Sequence, residues 1–357
     1  MKISIGADEV KGPFGGGNTF LINFKKYFSS LNHEIVNNLE DDDIDIILLF
    51  SPLPNSENST YDHLEIYKYL INKNHNAIVV QRINECDERK NTKGVNKLMI
   101  EASVFSDFTV FVSDWLKNLY IRQGLQKDNN MVILGGSDSK IFNFDNKIFW
   151  DGESKFKLVT HHWSSNWMKG FEVYKKLDNL LDNKLFSEKI SFSYIGNIPK
   201  NFEFKNVELT PPLAGKELAQ KLKEFDAYIT GSINEPSGNH PVEGALCGLP
   251  ILYLNSGGIP EYCKNYGIEY NFENLDEKIF ELMDNYKSIL KNMNKYDFTS
   301  NKTNELYLKL FEKLIADKIT LINNRVRINK IKLFYLLLKK YFKVFKYNLI
   351  KLRSKIL

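Results

Sequence analysis

The chain of 357 residues predicts an α/β protein built from two Rossmann-like, doubly wound domains that face a cleft, followed by a basic amphipathic helix. Three observations predict it. The length exceeds that of one ordinary domain. Short apolar runs alternate with amphipathic helical runs from Lys2 onward, the pattern of strand–helix repeats. Glycine-rich turns recur between strand and helix, where open α/β sheets bind ligands. The expected division is 1–145 for an N-terminal domain, 146–316 for a C-terminal domain and 317–357 for the tail.

Bulk properties narrow the class. Apolar content of 43% and charged content of 26% suit a protein with full cores. Cys86, Cys247 and Cys263 are an odd, scattered set, which argues against a disulfide framework or a zinc cluster and for a reducing compartment. The opening MKISIGADEV has no signal-peptide core, and no apolar run approaches the ~20 residues of a spanning helix. A cytoplasmic protein is therefore expected. Charge is unevenly placed. Twelve of the 48 Lys and Arg residues lie in 318–357 with no acid, leaving 36 against 44 acidic residues elsewhere, a net of −8.

In chain order, Lys2–Ala7 reads as a strand. It is followed by the glycine loop Gly12–Gly17 and a helix with Phe20, Leu21, Phe24, Tyr27, Phe28 and Leu31 at helical spacing, capped by Asn18 or Thr19. Gly15, Gly16 and Gly17 let backbone N–H groups approach an anion, although a plain tight turn explains them equally well. Glu34–Asn37 and Ile44–Phe50 are the next strands. Asp43 and Asp45 have metal-motif spacing but read as a solvated turn, and no metal is expected. Tyr61–Lys73 is a helix. The strand Ala77–Gln81 would bring Arg82, Asn84 and Glu85 to the crevice, where Arg82 either contacts an acceptor or phosphate or forms a structural ion pair. Val95–Ala102, Phe108–Val112, Trp115–Gln123 and Met131–Leu134 complete the first domain as helix, strand, helix and strand. Gly135-Gly136-Ser137-Asp138 then leads to Phe142 and a polar linker.

The second domain opens with the strand Phe156–Thr160, a loop carrying His161 and His162, then Lys169-Gly170 and the helix Phe171–Leu181. A lysine at such a helix start is placed to neutralise a diphosphate. Adjacent histidines at a strand end point opposite ways, so at most one faces the site. Ile190–Gly196, Val207–Leu209 and Ala227–Thr230 are strands, with Lys216–Glu224 a helix between the last two.

The stretch Glu235–Glu261 concentrates the signal. Glu235 and Glu243 are separated by seven residues. Gly238 and Asn239 form a turn, and Pro241 suits a helix start. The strand Ile251–Leu254 leads to Gly257-Gly258 and Pro260. Glu235 would lie in the loop after Thr230 and Glu243 in the first helical turn, where a carboxylate can accept two hydrogen bonds from a vicinal diol. His240 would either touch a sugar or cap the helix. Asp276–Tyr286 and Thr303–Ile315 are amphipathic helices.

In order, Glu235, Glu243, the Cys247-Gly248-x-Pro250 strand entry and the Gly257-Gly258-x-Pro260-Glu261 turn resemble the nucleotide-sugar signature of retaining glycosyltransferases of family four, which have the GT-B fold. The likeness runs to about Ile315. It extends to Gly135–Phe142, with Gly135 where the family has asparagine, and to Lys169-Gly170. It departs at Ser164, where the family places an arginine that shares the diphosphate. The resemblance implies transfer of a hexose-like sugar, with retention and without a metal or other cofactor, from a nucleoside-diphosphate sugar to a hydroxyl acceptor on a glycan, polysaccharide or lipid carrier. It implies Lys169 and Glu235 as catalytic groups, with Glu243 on the ribose. Gly15, Gly16, Gly17, Ser164, Gly196, Gly238, Asn239, His240, Gly257 and Gly258 would line the donor, and Asn18, Arg82 and Asn84 the acceptor. Two other readings remain: a GT-B sugar-nucleotide epimerase, and an inactive nucleotide-binding protein on a membrane.

In the tail, Ile331, Tyr335, Leu338, Phe342, Phe345, Leu349, Leu352 and Ile356 recur at spacings of four and three, flanked by lysines. A basic, aromatic-rich amphipathic helix over 328–357 suits an anionic membrane surface, which would make the protein peripheral on the inner face. Packing on the body or a coiled coil are alternatives. Nucleic-acid binding is a further alternative that the acidic body ranks last, and no nucleic-acid partner is expected.

Overall fold

The structure, a computed structural model, describes residues 1–12, 15–53, 58–125, 128–326, 331 and 333–338. Two parallel six-stranded sheets organise it. The first contains β1 (Lys2–Ile5), β2 (Glu34–Val36), β3 (Ile46–Leu49), β4 (Ile78–Ile83), β5 (Phe108–Phe111) and β6 (Asn130–Val132) in the order β2-β1-β3-β4-β5-β6. Its helices are α1 (Gly16–Ser30), α2 (His63–Asn72), α3 (Asp87–Lys90), α4 (Val95–Ser103) and α5 (Asp114–Arg122). The second contains β7 (Phe156–His162), β8 (Ile190–Gly196), β9 (Glu208–Thr210), β10 (Ala227–Thr230), β11 (Ile251–Leu254) and β12 (Gly267–Tyr270) in the order β12-β11-β10-β7-β8-β9. Around it run α6 (Phe171–Leu180), α7 (Lys184–Lys189), α8 (Gly215–Leu222), α9 (Asn239–Leu246), α10 (Ile259–Cys263), α11 (Leu275–Asp284) and α12 (Tyr286–Met293). The described residues end in α13 (Ser300–Ala316), α14 (Lys318–Asn324) and helical residues at 331 and 333–338.

The strands are short, β-branched and buried on both faces, as parallel strands covered by helices must be. Their register fixes the cores. One face of the first sheet buries Ile3, Ile5, Ile46, Leu48 and Val80 under Phe20, Phe24 and Phe28 of α1, a run at helical spacing. Tyr307, Leu310, Phe311 and Leu314 of α13 complete that core, so a helix following the second sheet returns to cover the first. α2 is fixed by a reciprocal capping box between Asp62 and Glu65.

Several sequence boundaries shift. β4 continues to Ile83, so Arg82 lies within the strand. It is 5% exposed and packs over the Phe20 ring at 4.1 Å rather than emerging into the crevice. β7 likewise continues through His162. The strand β12 and helices α3, α7, α12 and α14 are additions to the sequence reading, all short or lacking clean periodicity. Asp43 and Asp45 turn toward Lys2: Asp43 takes its ammonium at 2.8 Å and Asp45 its backbone N–H at 2.9 Å.

The two sheets are joined by two chain crossings lying side by side. Ser137 N–H donates to Phe298 O (3.2 Å) and Ser300 N–H to Ser137 O (2.9 Å). The segment after α13 is tied to the first domain by Arg325. Its guanidinium grips Asp107 at 2.6 and 2.8 Å and donates to the carbonyls of His75 and Ala77. Asp107 is buried, so Arg325→Ala strands a buried carboxylate. We expect a loss of about 3–5 kcal/mol in urea unfolding; a loss below about 1 kcal/mol would mean that the pair is solvated.

Candidate functional site

The strand order of the second sheet reverses at β7, which has β10 on one side and β8 on the other. Loops leaving the carboxyl ends of β7 and β10 therefore diverge and leave a crevice. The loop after β7 carries Ser164, Asn166 and Lys169, and the loop after β10 carries Glu235. The carboxyl ends of the first sheet close over the same place. Gly16 at the start of α1 sits so near Asn239 that an added Cβ would lie 2.1 Å from its side-chain nitrogen.

Lys169 ends a short 3-10 helix, Trp167–Lys169, capped by Asn166, whose side chain accepts from Met168 N–H at 2.9 Å. Gly170 follows in a left-handed conformation (φ +105°), and a side chain there would meet the Gly231 backbone at 2.6 Å. This close packing of the β7 and β10 loops places the Lys169 ammonium on Glu235. Glu235 is 6% exposed and holds a second cation, Arg89 of α3 in the first domain, whose Nε lies 3.2 Å away. Arg89 also contacts Glu85 at 3.0 Å, and Lys90 meets Glu85 at 2.9 Å. Burial opposes ionisation of Glu235, but Arg89 and Lys169 together outweigh it and hold its carboxyl below the ordinary range. Burial depresses the Lys169 ammonium, and Glu235 offsets this only in part. A small pocket opens beside these charges, lined by Arg89, Lys90, Ser164, Asn166, Met168, Lys169 and Glu235.

Gly257, left-handed at φ +66°, backs directly onto Glu235: an added Cβ would lie 2.4 Å from its carbonyl oxygen. Gly258 N–H donates to that carbonyl at 2.8 Å, so this donor supports Glu235 rather than standing free for a phosphate.

Glu243 lies in the second turn of α9, not the first, with Gly238 as the cap residue. Its carboxylate takes a 2.8 Å hydrogen bond from His161 Nε2 and sits 3.5 Å from Ser137. A carboxylate only accepts, so Nε2 carries the hydrogen and Nδ1 faces the Tyr228 hydroxyl at 3.1 Å. His162 points the opposite way into the core, 2.7 Å from Tyr174 Oη. His240 neither caps α9 nor opens to the cleft. It is buried against His162, with Nε2 2.7 Å from Thr230 Oγ1.

The remaining predicted residues divide. Gly15 caps α1, Gly17 faces Phe50 and Asn84 within the first domain, and Asn239 bridges toward Gly16 and Gly135 across the domain junction. Gly196 ends β8 against His162 O. Asn18 spends its amide on Val10, accepting at 2.9 Å and donating at 2.8 Å, which pins the β1–α1 loop. Arg89 and Lys90 are absent from the sequence reading. The signal available was two cations just past the carboxyl end of a buried strand.

No protein-family model matches the sequence, and no curated protein sequence matches it. Solved structures do match in fold. Anabaena HepE in complex with UDP and glucose superposes with a TM-score of 0.64 at 13% identity, covering 88% of this chain and 99% of that one. A glycosyltransferase from Rickettsia africae gives a TM-score of 0.59 at 16% identity, over 88% and 98%. WaaG, a glycosyltransferase involved in lipopolysaccharide biosynthesis, gives 0.59 at 13%, over 88% and 99%. Two facing doubly wound sheets with this coverage are the GT-B fold.

Burial, then neighbouring imidazole and Lys169 charge, holds both His162 and His240 well below the ordinary imidazole range. Both stay neutral in the fold, while the unfolded chain protonates below about pH 6.5. Stability is therefore full above that pH and falls as pH drops, by up to about 2.7 kcal/mol per pH unit from this pair. Urea unfolding at about pH 7, 6 and 5 measures the slope. His240→Gln should remove roughly half of the pair's share; an unchanged slope would contradict the assignment.

Proposed function

We propose that this chain is a glycosyltransferase that moves a sugar, with retention, from a nucleoside-diphosphate sugar to a hydroxyl on a glycan or lipid-linked acceptor. The observation that carries this reading is the Lys169–Glu235 pair, buried at the switch point of the second sheet and facing the carboxyl ends of the first. Fold likeness to HepE, whose structures hold UDP and UDP-glucose, supports it.

The roles follow from chemistry. Breaking the sugar–phosphate bond leaves negative charge on the diphosphate, which Lys169 neutralises without a metal ion. Glu235, a carboxylate already held by two cations, is a poor nucleophile. It orients donor-sugar hydroxyls and supports positive charge on the sugar as the bond lengthens. Retention then needs no covalent glycosyl-enzyme, since a departing phosphate oxygen on the same face takes the acceptor proton. Glu243, oriented by His161, accepts from the ribose hydroxyls.

The tail holds the enzyme at the inner, anionic face of a membrane, near a lipid-linked acceptor. Among the described residues no helix is long and apolar enough to cross a membrane. At the start of the tail Leu333 and Leu337 turn into the first domain, leaving Ile331, Phe334 and Tyr335 exposed. The stripe from Phe342 to Ile356 lies outside the described residues. By sequence, 339–357 carries seven Lys and Arg and no acid.

Thermal shifts with nucleoside diphosphates and their sugars should show stabilisation by one base class. Lys169→Ala should weaken diphosphate binding by about 1.5–3 kcal/mol, and Glu243→Ala should weaken nucleotide binding by at least about tenfold. Unchanged affinity in either variant removes that residue's role. Deleting 339–357, which spares Leu333 and Leu337, should release the protein from anionic liposomes while donor hydrolysis persists. Continued liposome binding would sink the membrane reading.

A further inference from the structure

A diphosphate carries more negative charge than one ammonium offsets, and Lys169 is already shared with Glu235. The other groups that the β7 loop turns toward the pocket, the Ser164 hydroxyl and the Asn166 amide, are neutral. Further positive charge comes from the other domain. Arg89, Lys90 and Lys169 face two carboxylates, Glu85 and Glu235, leaving one positive charge in excess.

We propose that Arg89, reaching across from the first domain, is the second cation of the diphosphate site, so that the donor is gripped between the two domains. This deepens the nucleotide-sugar reading and rests on it. The guanidinium reaches Glu85 through one terminal nitrogen at 3.0 Å. Its Nε is buried 3.2 Å from Glu235, yet that N–H is not directed at the carboxylate and has no hydrogen-bond partner. Though ion-paired, this buried donor beside Lys169 still has a hydrogen bond to make to an anion, and a planar guanidinium can engage two phosphate oxygens at once.

The loop is built to hold Arg89 there. Asp87, two residues earlier, accepts from Thr92 Oγ1 and from the N–H groups of Gly94, Val95 and Asn96 at 2.9–3.1 Å. Asn234, next to Glu235, donates across the junction to Glu88 O at 3.4 Å. These contacts tie the segments after β4 and β10 together beside the pocket.

Calorimetric titration of the wild type, Arg89→Ala and Arg89→Lys with UDP, GDP, ADP and CDP, and with the matching nucleosides, tests this. Arg89→Ala leaves Glu235 on Lys169 and Glu85 on Lys90, so neither carboxylate is stranded. The expected result is a loss of about tenfold or more for the diphosphate that the wild type binds, with nucleoside affinity within about twofold and Arg89→Lys intermediate. Unchanged diphosphate affinity, or equal loss for diphosphate and nucleoside, overturns the role of Arg89 alone. A wild type that binds none of the four overturns this role together with the functional reading.

Discussion

Glu235 is a charge buried where two sheets meet, and a buried carboxylate is tolerated only where cations and hydrogen bonds surround it. Much of the nearby architecture serves that requirement. Gly170 lets the β7 loop press against β10, which brings Lys169 within reach. Gly257 lets the β11–α10 turn lie against the Glu235 backbone, and Gly258 N–H satisfies its carbonyl. The last cation, Arg89, comes from the first domain, so the carboxylate is fully paired only when the sheets are together.

Other groups bind the domains at the same face. Glu261 accepts from the N–H groups of Asp114 and Trp115 at 2.8 and 2.9 Å, supplying a carboxylate to the free donors at the start of α5. Burial raises its carboxyl despite those bonds. Tyr262 Oη accepts from Gly135 N–H and donates to Val112 O. These ties lie beside the paired crossings at Ser137 and Ser300, whereas Arg89 lies on α3 after β4 and Glu235 on the loop leaving β10. The contact between domains thus extends from the paired crossings at Ser137 to the buried charges at Glu235.

The fold class was legible because its signals are local. Buried strands of four to seven residues, glycine stops and helical spacing in α1 and α13 all fall within short windows. The positions of Lys169 and Glu235 after β7 and β10 were legible for the same reason, each at a strand-to-helix junction, whereas Glu243 lies one turn further into α9 than expected. Arg89 was not. It is 146 residues from Glu235 in the chain, and only the facing of two sheets makes them neighbours. Arg82 shows the converse. Its place just after an apolar run suggested release into the crevice, but pairing with β5 carries β4 through Ile83 and leaves Arg82 beneath Phe20. His240 was misplaced because its burial depends on His162 and Thr230, which belong to other strands.

The tail shows why periodicity alone cannot say which face of a helix meets the protein. Ile331, Tyr335 and Leu338 form the regular stripe, yet all three are exposed. Leu333 and Leu337, four apart on another face, pack with Ile44, Tyr67 and Leu70 of the first domain. A helix with apolar residues on two faces has two surfaces to cover, and here the body covers the narrower one. Phe334 and Tyr335 are left outward, just before Lys339 and Lys340 in sequence. A stripe used only to fill the core would have turned inward at its first residues. Its outward start lies on a segment already anchored through Arg325 and Leu333, so Ile331, Tyr335 and Leu338 face away from the domain that holds them.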